Sequence, residues 1–362
     1  MSVDGRLVPF RQALIATGAT PRVPNIPGLK EIDFLTSESV WGLQRLPRRL
    51  LVLGGGPVSC ELGQAFAHLG AQVTIVTEGA GLLTHEDPDA ARLVAASLTG
   101  AGVEILTGTT AARVRATEQP QAGVASLPNA RELPFDAMLV ATGRVPRTAN
   151  LGLEAADVSV DDHGHVVVSP QLRTSNPWIW AAGDVTSLSH HTHTAGVHGS
   201  IVASNAILGL TRSVETTAVP RVTFTSPELA AVGVTTDSSR TPSGMRIITR
   251  DHAGLDRAVT EDDTRGFTRL VVDRKGRIVG ATVVGPRAGE TLGELTLAIH
   301  HGMRTRDVAA VTHAYPTFND GVWNAAIEDV QRTLSSGLIG HAMRLLGVVR
   351  NRWVRLRQAS HR

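Results

Sequence analysis

What this chain lacks narrows the field before any motif is read. Cys60 is the only cysteine in 362 residues, so neither an intramolecular disulfide nor a cysteine metal cluster can form within it. No apolar run approaches the roughly 20 residues that a membrane span needs. The opening MSVDGRLVPF also lacks the apolar core of a signal peptide, and together these absences predict a cytoplasmic protein. A formal charge of +2 is nearly neutral and gives no argument for a nucleic-acid partner. Lysine is confined to Lys30 and Lys275, which reads as a coding bias rather than a mechanism. No acidic residue follows Asp329. Arg344, Arg350, Arg352, Arg355, Arg357 and Arg362 there sit among leucine, valine and tryptophan, a basic amphipathic helix over 335–362 that reads as a solvated tail or, as the one local exception to the charge argument, as a segment for an anionic membrane surface or nucleic acid.

What is present is organised around Leu50-Leu51-Val52-Leu53-Gly54-Gly55-Gly56-Pro57-Val58-Ser59-Cys60-Glu61. Four apolar residues predict a buried parallel strand, and the glycines let the backbone turn into a helix whose first N–H groups face an anion. Val58, Leu62, Ala65, Phe66 and Leu69 carry the helical period, and Gly70 is a stop. Gly54, Gly56 and Ser59 occupy the three small-residue positions of a dinucleotide fingerprint, with Val73 to Val76 as the next strand. The acid expected for the adenosine ribose falls at Thr77, with Glu78 one residue later, so the choice between NADH and NADPH stays open with a lean towards NADH. Cys60 reads as a small buried hydrophobe. Residues 85–89 predict a helix start with Asp87 as cap and Pro88 in the first turn, and residues 111–135 predict an antiparallel meander.

Before this unit, residues 8–11 and 13–18 predict two strands, and Pro21, Pro24, Pro27 and Gly28 predict a crossover without regular structure. Leu14-Ile15-Ala16-Thr17-Gly18 returns as Leu139-Val140-Ala141-Thr142-Gly143, about 125 residues later, which suggests two related nucleotide domains with one inserted in the other. Trp178-Ile179-Trp180-Ala181-Ala182-Gly183-Asp184 ends an apolar strand on a glycine and a carboxylate, and a helix over 194–208 aims its N-terminus at the same ligand.

These motifs resemble the pyridine nucleotide-disulfide oxidoreductases, the flavoenzymes that include lipoamide dehydrogenase, glutathione reductase and mercuric reductase, the last being nearest in look. Val219-Pro220-Arg221-Val222-Thr223-Phe224 and His313-Ala314-Tyr315-Pro316-Thr317 complete the set in the family's order. The resemblance implies an α/β fold with nested Rossmann-like FAD- and NAD(P)-binding domains and a C-terminal α+β interface domain that makes a homodimer. Its implied bounds are 1–46 for part of the FAD domain and a crossover, 47–134 for NAD(P), 135–212 for the second FAD part and 213–334 for dimerisation. It implies FAD along Thr17, Gly18, Gly183 and Asp184, and NAD(P)H along Gly54, Gly56, Ser59, Thr77, Glu78 and Gly143, with Glu61 near the nicotinamide. No metal ligands are expected.

The pattern departs from the family in three places. Where the family has a catalytic histidine and a glutamate, this chain has Tyr315 and Asp320. A phenol titrates near 10 and is a poor base at neutral pH, so Tyr315 reads either as a hydroxyl donor or ligand or as interface packing, and His313 as structural. The paired redox cysteines and the family's first glycine fingerprint are both missing, which predicts that the sequence begins inside the flavin domain. The expected activity is hydride transfer from NAD(P)H through FAD to a small-molecule acceptor. The alternatives are a cysteine-independent NAD(P)H oxidase or quinone-type reductase, and a non-catalytic nucleotide-binding dimer.

Overall fold

The computed structural model describes residues 2–235, 243–335 and 345–353. Its packing divides the chain into two units, one of Met1–His85 with Val94–Thr225 and one of Glu86–Leu93 with Ser226–Arg362.

The first unit is built on a parallel sheet. Leu50 to Leu53 are all buried, as a strand covered on both faces requires. Arg49–Leu53 lies between Gln72–Val76 and Ala137–Val140, and Glu104–Leu106 adds the outer strand beyond Gln72–Val76. In chain order these strands lie 4-1-2-3, so the order reverses beside Arg49–Leu53. Ligands bind at such a reversal, in the crevice above the strands' carboxyl ends. Arg113–Ala116, Gly123–Ser126 and Glu132–Phe135 form the expected antiparallel meander, whose Val114, Ala125, Leu133 and Phe135 share a core with Leu51, Leu53 and Met138.

Helix Pro57–His68 starts where the fingerprint puts it but buries a different face. Ser59, Cys60, Gly63 and Gln64 are buried while Leu69 is 67% exposed, so the apolar period misassigned the inner side. The reason is steric. A methyl at Gly63 would stand 3.0 Å from Ile75 Cδ1, so the helix lies too close to the sheet for large side chains on its inner face.

The Ala-Thr-Gly repeat becomes a structural pair. The segments that follow the two copies, Ala19–Pro21 and Arg144–Pro146, run antiparallel, and the strands Ala13–Ile15 and Ile179–Ala181 run parallel beside one another. Ala19–Pro21 overturns the expectation of an irregular crossover at that point. Its ladder survives because the two strands make a sheet of their own, in which a proline has a free edge to face. The strand expected over 8–11 is also absent; Ser2–Val3 and Arg6–Leu7 pair instead, across a turn in which Asp4 and Gly5 take positive φ.

In the second unit the antiparallel strands lie in the order Glu228–Gly233, Ile278–Gly285, Phe267–Val272, Arg246–Asp251. Phe267–Val272 and Ile278–Gly285 form the predicted hairpin, with a register shift at Val271 and Val272. Helices Ala288–His300 and Asp320–Ser335 belong to this unit as well. Arg269, 4% exposed, donates from Nη1 to Asp87 Oδ2 at 2.5 Å and from Nη2 to Asp89 Oδ2 at 2.8 Å, while its guanidinium lies 4.5 Å from the Phe267 ring centre. Asp87 is also the cap that its sequence context predicted, its Oδ1 accepting from the N–H groups of Asp89 and Ala90. A buried carboxylate that makes both sets of bonds has its charge compensated.

His252 is buried against the same sheet. Its Nε2 lies 3.1 Å from Thr268 Oγ1, and its Nδ1 has no hydrogen-bond partner. Methyl groups at Gly285 and Gly266 would approach Nδ1 to 2.6 and 3.0 Å, so both glycines are required for the ring to fit. Of the predicted basic tail, 345–353 is an exposed helix and the rest lies outside the described residues. No helix among the described residues is long and apolar enough to cross a membrane.

Candidate functional site

Two sites form in the first unit, both at carboxyl ends of strands. In the first, strand Arg49–Leu53 enters the 54–59 turn with Gly54 at φ 118°. A methyl at Gly54 would come 2.3 Å from the Ala141 carbonyl oxygen, and one at Gly55 would come 2.6 Å from Thr77 Oγ1. A methyl at Gly56 meets nothing within 4 Å, so that glycine leaves open space above the helix start. Gly56 caps the helix without a side-chain bond and Pro57 follows it, which leaves the first-turn N–H groups of Val58 and Ser59 for a ligand. Ser59 Oγ is buried with no partner. Thr77 is buried beneath the turn and Glu78 is exposed.

Glu61, one turn into the helix, is half-buried. Its Oε1 accepts from the N–H of Phe224 at 2.8 Å. Burial raises its carboxyl above the usual range and outweighs that hydrogen bond. Cys60 beside it is fully buried, and desolvation together with the Glu61 charge pushes its thiol up to about 12. A thiol so protonated is neither a nucleophile nor a metal ligand at neutral pH.

The second site is a cavity of about 530 Å³ lined by Gly18, Arg144, Gly183, Asp184, His190 and Thr192, among others. Gly18 and Gly183 hold φ values of 70° and 74°. Methyl groups at Gly18 or at Gly199, also in the wall, would meet no protein atom within 4 Å, so the wall is cut back to backbone where a ligand approaches. The Gly183 N–H donates to Nδ1 of buried His198 at 3.2 Å. Desolvation lowers the His198 imidazole's pKa, which keeps that nitrogen free to accept.

Arg144 is the cation of this cavity. Its Nε stands 3.6 Å from Asp184 Oδ2, and its Nη2 donates to Ala19 O at 2.6 Å and to Glu38 at 3.3 Å. Glu38 also accepts from Arg147 at 3.1 Å. Thr17 Oγ1 donates to the Arg147 carbonyl at 2.7 Å, and the Gly143 carbonyl accepts from Arg22 at 2.9 Å, so both repeat motifs are occupied in shaping the wall. Helix Thr192–Leu208 opens onto the cavity with no side-chain cap from His191. A carboxylate thus faces an arginine and an open helix N-terminus, which suits a ligand with hydroxyls at one place and negative charge at another.

The structure therefore brings Gly18, Gly183 and Asp184 together, and separately Gly54, Gly56, Ser59 and Thr77. The wall of the cavity does not include Gly54, Gly56 or Glu61. The two places are joined through the end of strand Ala137–Val140, which supplies Ala141 to the turn and Arg144 to the cavity. Sequence reasoning missed Arg144, although it directly follows the second Ala-Thr-Gly, and it missed His190, whose histidine-rich surroundings gave no sign of which ring would reach the wall.

Tyr315 and Asp320 lie in the second unit. Tyr315, 67% exposed, donates its hydroxyl to Asp256 Oδ2, which raises the phenol's pKa above 10.0. Asp320 is buried at the start of its helix and accepts from the Thr317 N–H at 3.0 Å, a bond that closes the 317–320 turn. His313 places Nδ1 2.9 Å from Val311 O and Nε2 2.9 Å from Glu294 Oε1, and stacks on Trp323. Among the described residues no group of three or more His, Cys, Asp or Glu is placed to hold a metal ion.

Comparisons with known proteins place these sites in context. Residues 2–199 match the family model of the pyridine nucleotide-disulphide oxidoreductases, and residues 219–326 match that family's dimerisation domain. A mercuric reductase of Bacillus cereus is 36% identical over 326 residues, which is 89% of this chain and 52% of that protein. One of Streptomyces lividans is 38% identical over 317 residues, covering 86% of this chain and 66% of its own length. The chain thus spans about half to two thirds of these curated relatives. The Cu(II) complex of the HOCl-induced flavoprotein disulfide reductase RclA from Escherichia coli superposes with a TM-score of 0.81 at 29% identity, covering 88% of this chain and 72% of that one.

Proposed function

Because the chain belongs to the pyridine nucleotide-disulphide oxidoreductase family, we propose that it serves an FAD-dependent oxidoreductase, mercuric reductase-like, that draws hydride from NAD(P)H. One observation carries this reading above the rest. The 530 Å³ cavity is cut back to glycine backbone and lined by Asp184, Arg144 and an open helix N-terminus, a donor set that fits a flavin nucleotide. Asp184 would accept from ribityl hydroxyls, with Thr17, Gly18 and Gly183 giving close approach. FAD, when bound, supplies the hydride-accepting chemistry.

The 54–59 turn would hold the pyrophosphate of NAD(P)H, with Gly143 near it and Thr77 and Glu78 towards the adenosine ribose. Glu78 is exposed, and a carboxylate there repels a 2′-phosphate, which favours NADH. Glu61, held by Phe224, would orient the nicotinamide through its carboxyl group, whose pKa burial raises above the usual range. Residues 1–46 with 135–212 form the FAD portion on this reading, 47–134 the NAD(P) portion and 213–334 a homodimer interface, in a cytoplasmic protein. Tyr315 then acts as a hydroxyl donor and Asp320 keeps its loop in place.

Cys60 favours a second reading of the acceptor. The one thiol of the chain is buried and protonated, so electrons leave the flavin by a route that needs no cysteine of this sequence, as in an NAD(P)H oxidase or quinone-type reductase. The test is the visible spectrum of the purified chain after incubation with FAD and removal of the free flavin by gel filtration, followed anaerobically after NADH. A bound flavin that NADH bleaches is expected, with Asp184→Ala losing the flavin and Gly54→Ala retaining it unreduced. A wild-type chain that stays colourless overturns the proposal.

A further inference from the structure

His190 stands in the wall of the Asp184 cavity. Its Nε2 lies 2.9 Å from the Thr186 carbonyl oxygen, which only accepts, so Nε2 carries the proton and Nδ1 is the basic nitrogen of the neutral ring. Behind it is a second imidazole. The ring of His165 lies 5.3 Å from that of His190, centre to centre, and His165 Nδ1 is 3.4 Å from Asp161 Oδ2. Burial opposes ionisation of Asp161, but N–H groups of His165 and His163 bonded to its Oδ1 hold it below the usual carboxylate range. Asp161 thus stands beside His165, and His165 is the imidazole next to His190.

The other charged groups around His190 are Asp184 and Arg144 across the cavity, with Glu38 bonded to Arg144. His191 follows it in sequence and stacks on His193, 5.1 Å centre to centre. Arg144 is already engaged by Asp184 and Glu38, so a negative ligand group that enters beside the open helix at Thr192 gains most from a newly charged neighbour on that side. His190 is the neighbour that can become charged.

We propose that His190 is a proton-accepting residue of the cavity, taking up one proton from solvent when the negative part of a polyhydroxylated nucleotide binds, with His165 and Asp161 stabilising the resulting imidazolium. The inference rests on the cavity being the flavin nucleotide site, and it adds a protonation that this assignment alone does not require. It balances simply: a buffer proton moves to Nδ1 of His190 and is released when the ligand leaves.

The experiment is isothermal titration of FAD into the full chain at fixed pH, in two buffers of different ionisation enthalpy, repeated from neutral to mildly alkaline pH. Net proton uptake is expected for the wild type, with affinity falling by up to about tenfold per pH unit above the imidazole midpoint. His190→Gln keeps a donor for Thr186 O but cannot be charged, and its binding is expected to be weaker at neutral pH, without uptake and nearly independent of pH. His165→Gln, which removes the second ring, is expected to reduce the uptake. FAD that binds the wild type without proton uptake, or with equal uptake in His190→Gln, overturns the inference alone. FAD that fails to bind the wild type overturns the cofactor assignment and the inference with it.

Discussion

Burial holds the His252 imidazole down at about 4, from an ordinary 6.5, despite the opposing charges of Asp251 and Asp263. In the unfolded chain the same ring protonates as pH falls through 6.5. The folded-state value is the lower one, so the unfolded state binds the extra proton, and stability is full above 6.5 and lost as pH falls towards 4. At about 1.4 kcal/mol per pH unit, the complete loss is about 3 kcal/mol, of which about 2 kcal/mol has gone by pH 5, where carboxylates are still largely ionised. The perturbation that isolates the ring is His252→Gln. The variant is expected to be less stable than wild type at pH 7.5 and to lack this acid-dependent loss, so the two stabilities converge as pH falls. Because the chain has two units, a global melt is a poor readout. Native-state hydrogen exchange in strand Phe267–Val272, corrected for intrinsic exchange rates, reads the unit that contains His252. Equal slopes of opening free energy against pH in both proteins between 7 and 5 would refute the reasoning.

Three further outcomes follow from groups already described. Cys60 is expected to resist a thiol reagent in the native chain at pH 8 and to react fully in denaturant; fast native labelling would mean that its thiol is not buried and protonated. Tyr315 is the one tyrosine of the chain, so absorbance at 295 nm follows it alone; its ionisation is expected above pH 10 and lower in Asp256→Asn, and an unchanged midpoint in the variant would separate the two residues. Arg269→Leu leaves buried Asp87 without its cation and is expected to cost about 3–5 kcal/mol in urea unfolding of the second unit; a loss below about 1 kcal/mol would show the pair to be dispensable.

The parts of this molecule that could be read from its sequence are those in which local chemistry has one solution. Gly54 to Ser59 after four apolar residues leaves little choice but strand, turn and helix, and Asp87 before Pro88 leaves little choice but a cap. The inner face of helix Pro57–His68 was not legible, because the rule that large apolar residues point inward fails where a helix lies against a sheet at the distance Gly63 sets. Ala19–Pro21 was hidden by its proline, whose ladder depends on a partner at Arg144–Pro146, far off in sequence. Arg144 and His190 escaped for the same reason. Arg144 follows a local motif and His190 lies in a histidine-rich stretch, but only the folded chain puts them in one wall.

The contact between Gly55 and Thr77 bears on how cofactor preference could be rewritten. Thr77 is buried against the backbone that makes the turn, while Glu78 beside it is exposed. On the nucleotide reading proposed above, exchange between the two pyridine nucleotides is open to single substitutions at position 78. At position 77, any enlargement has to be accompanied by a rebuilt loop.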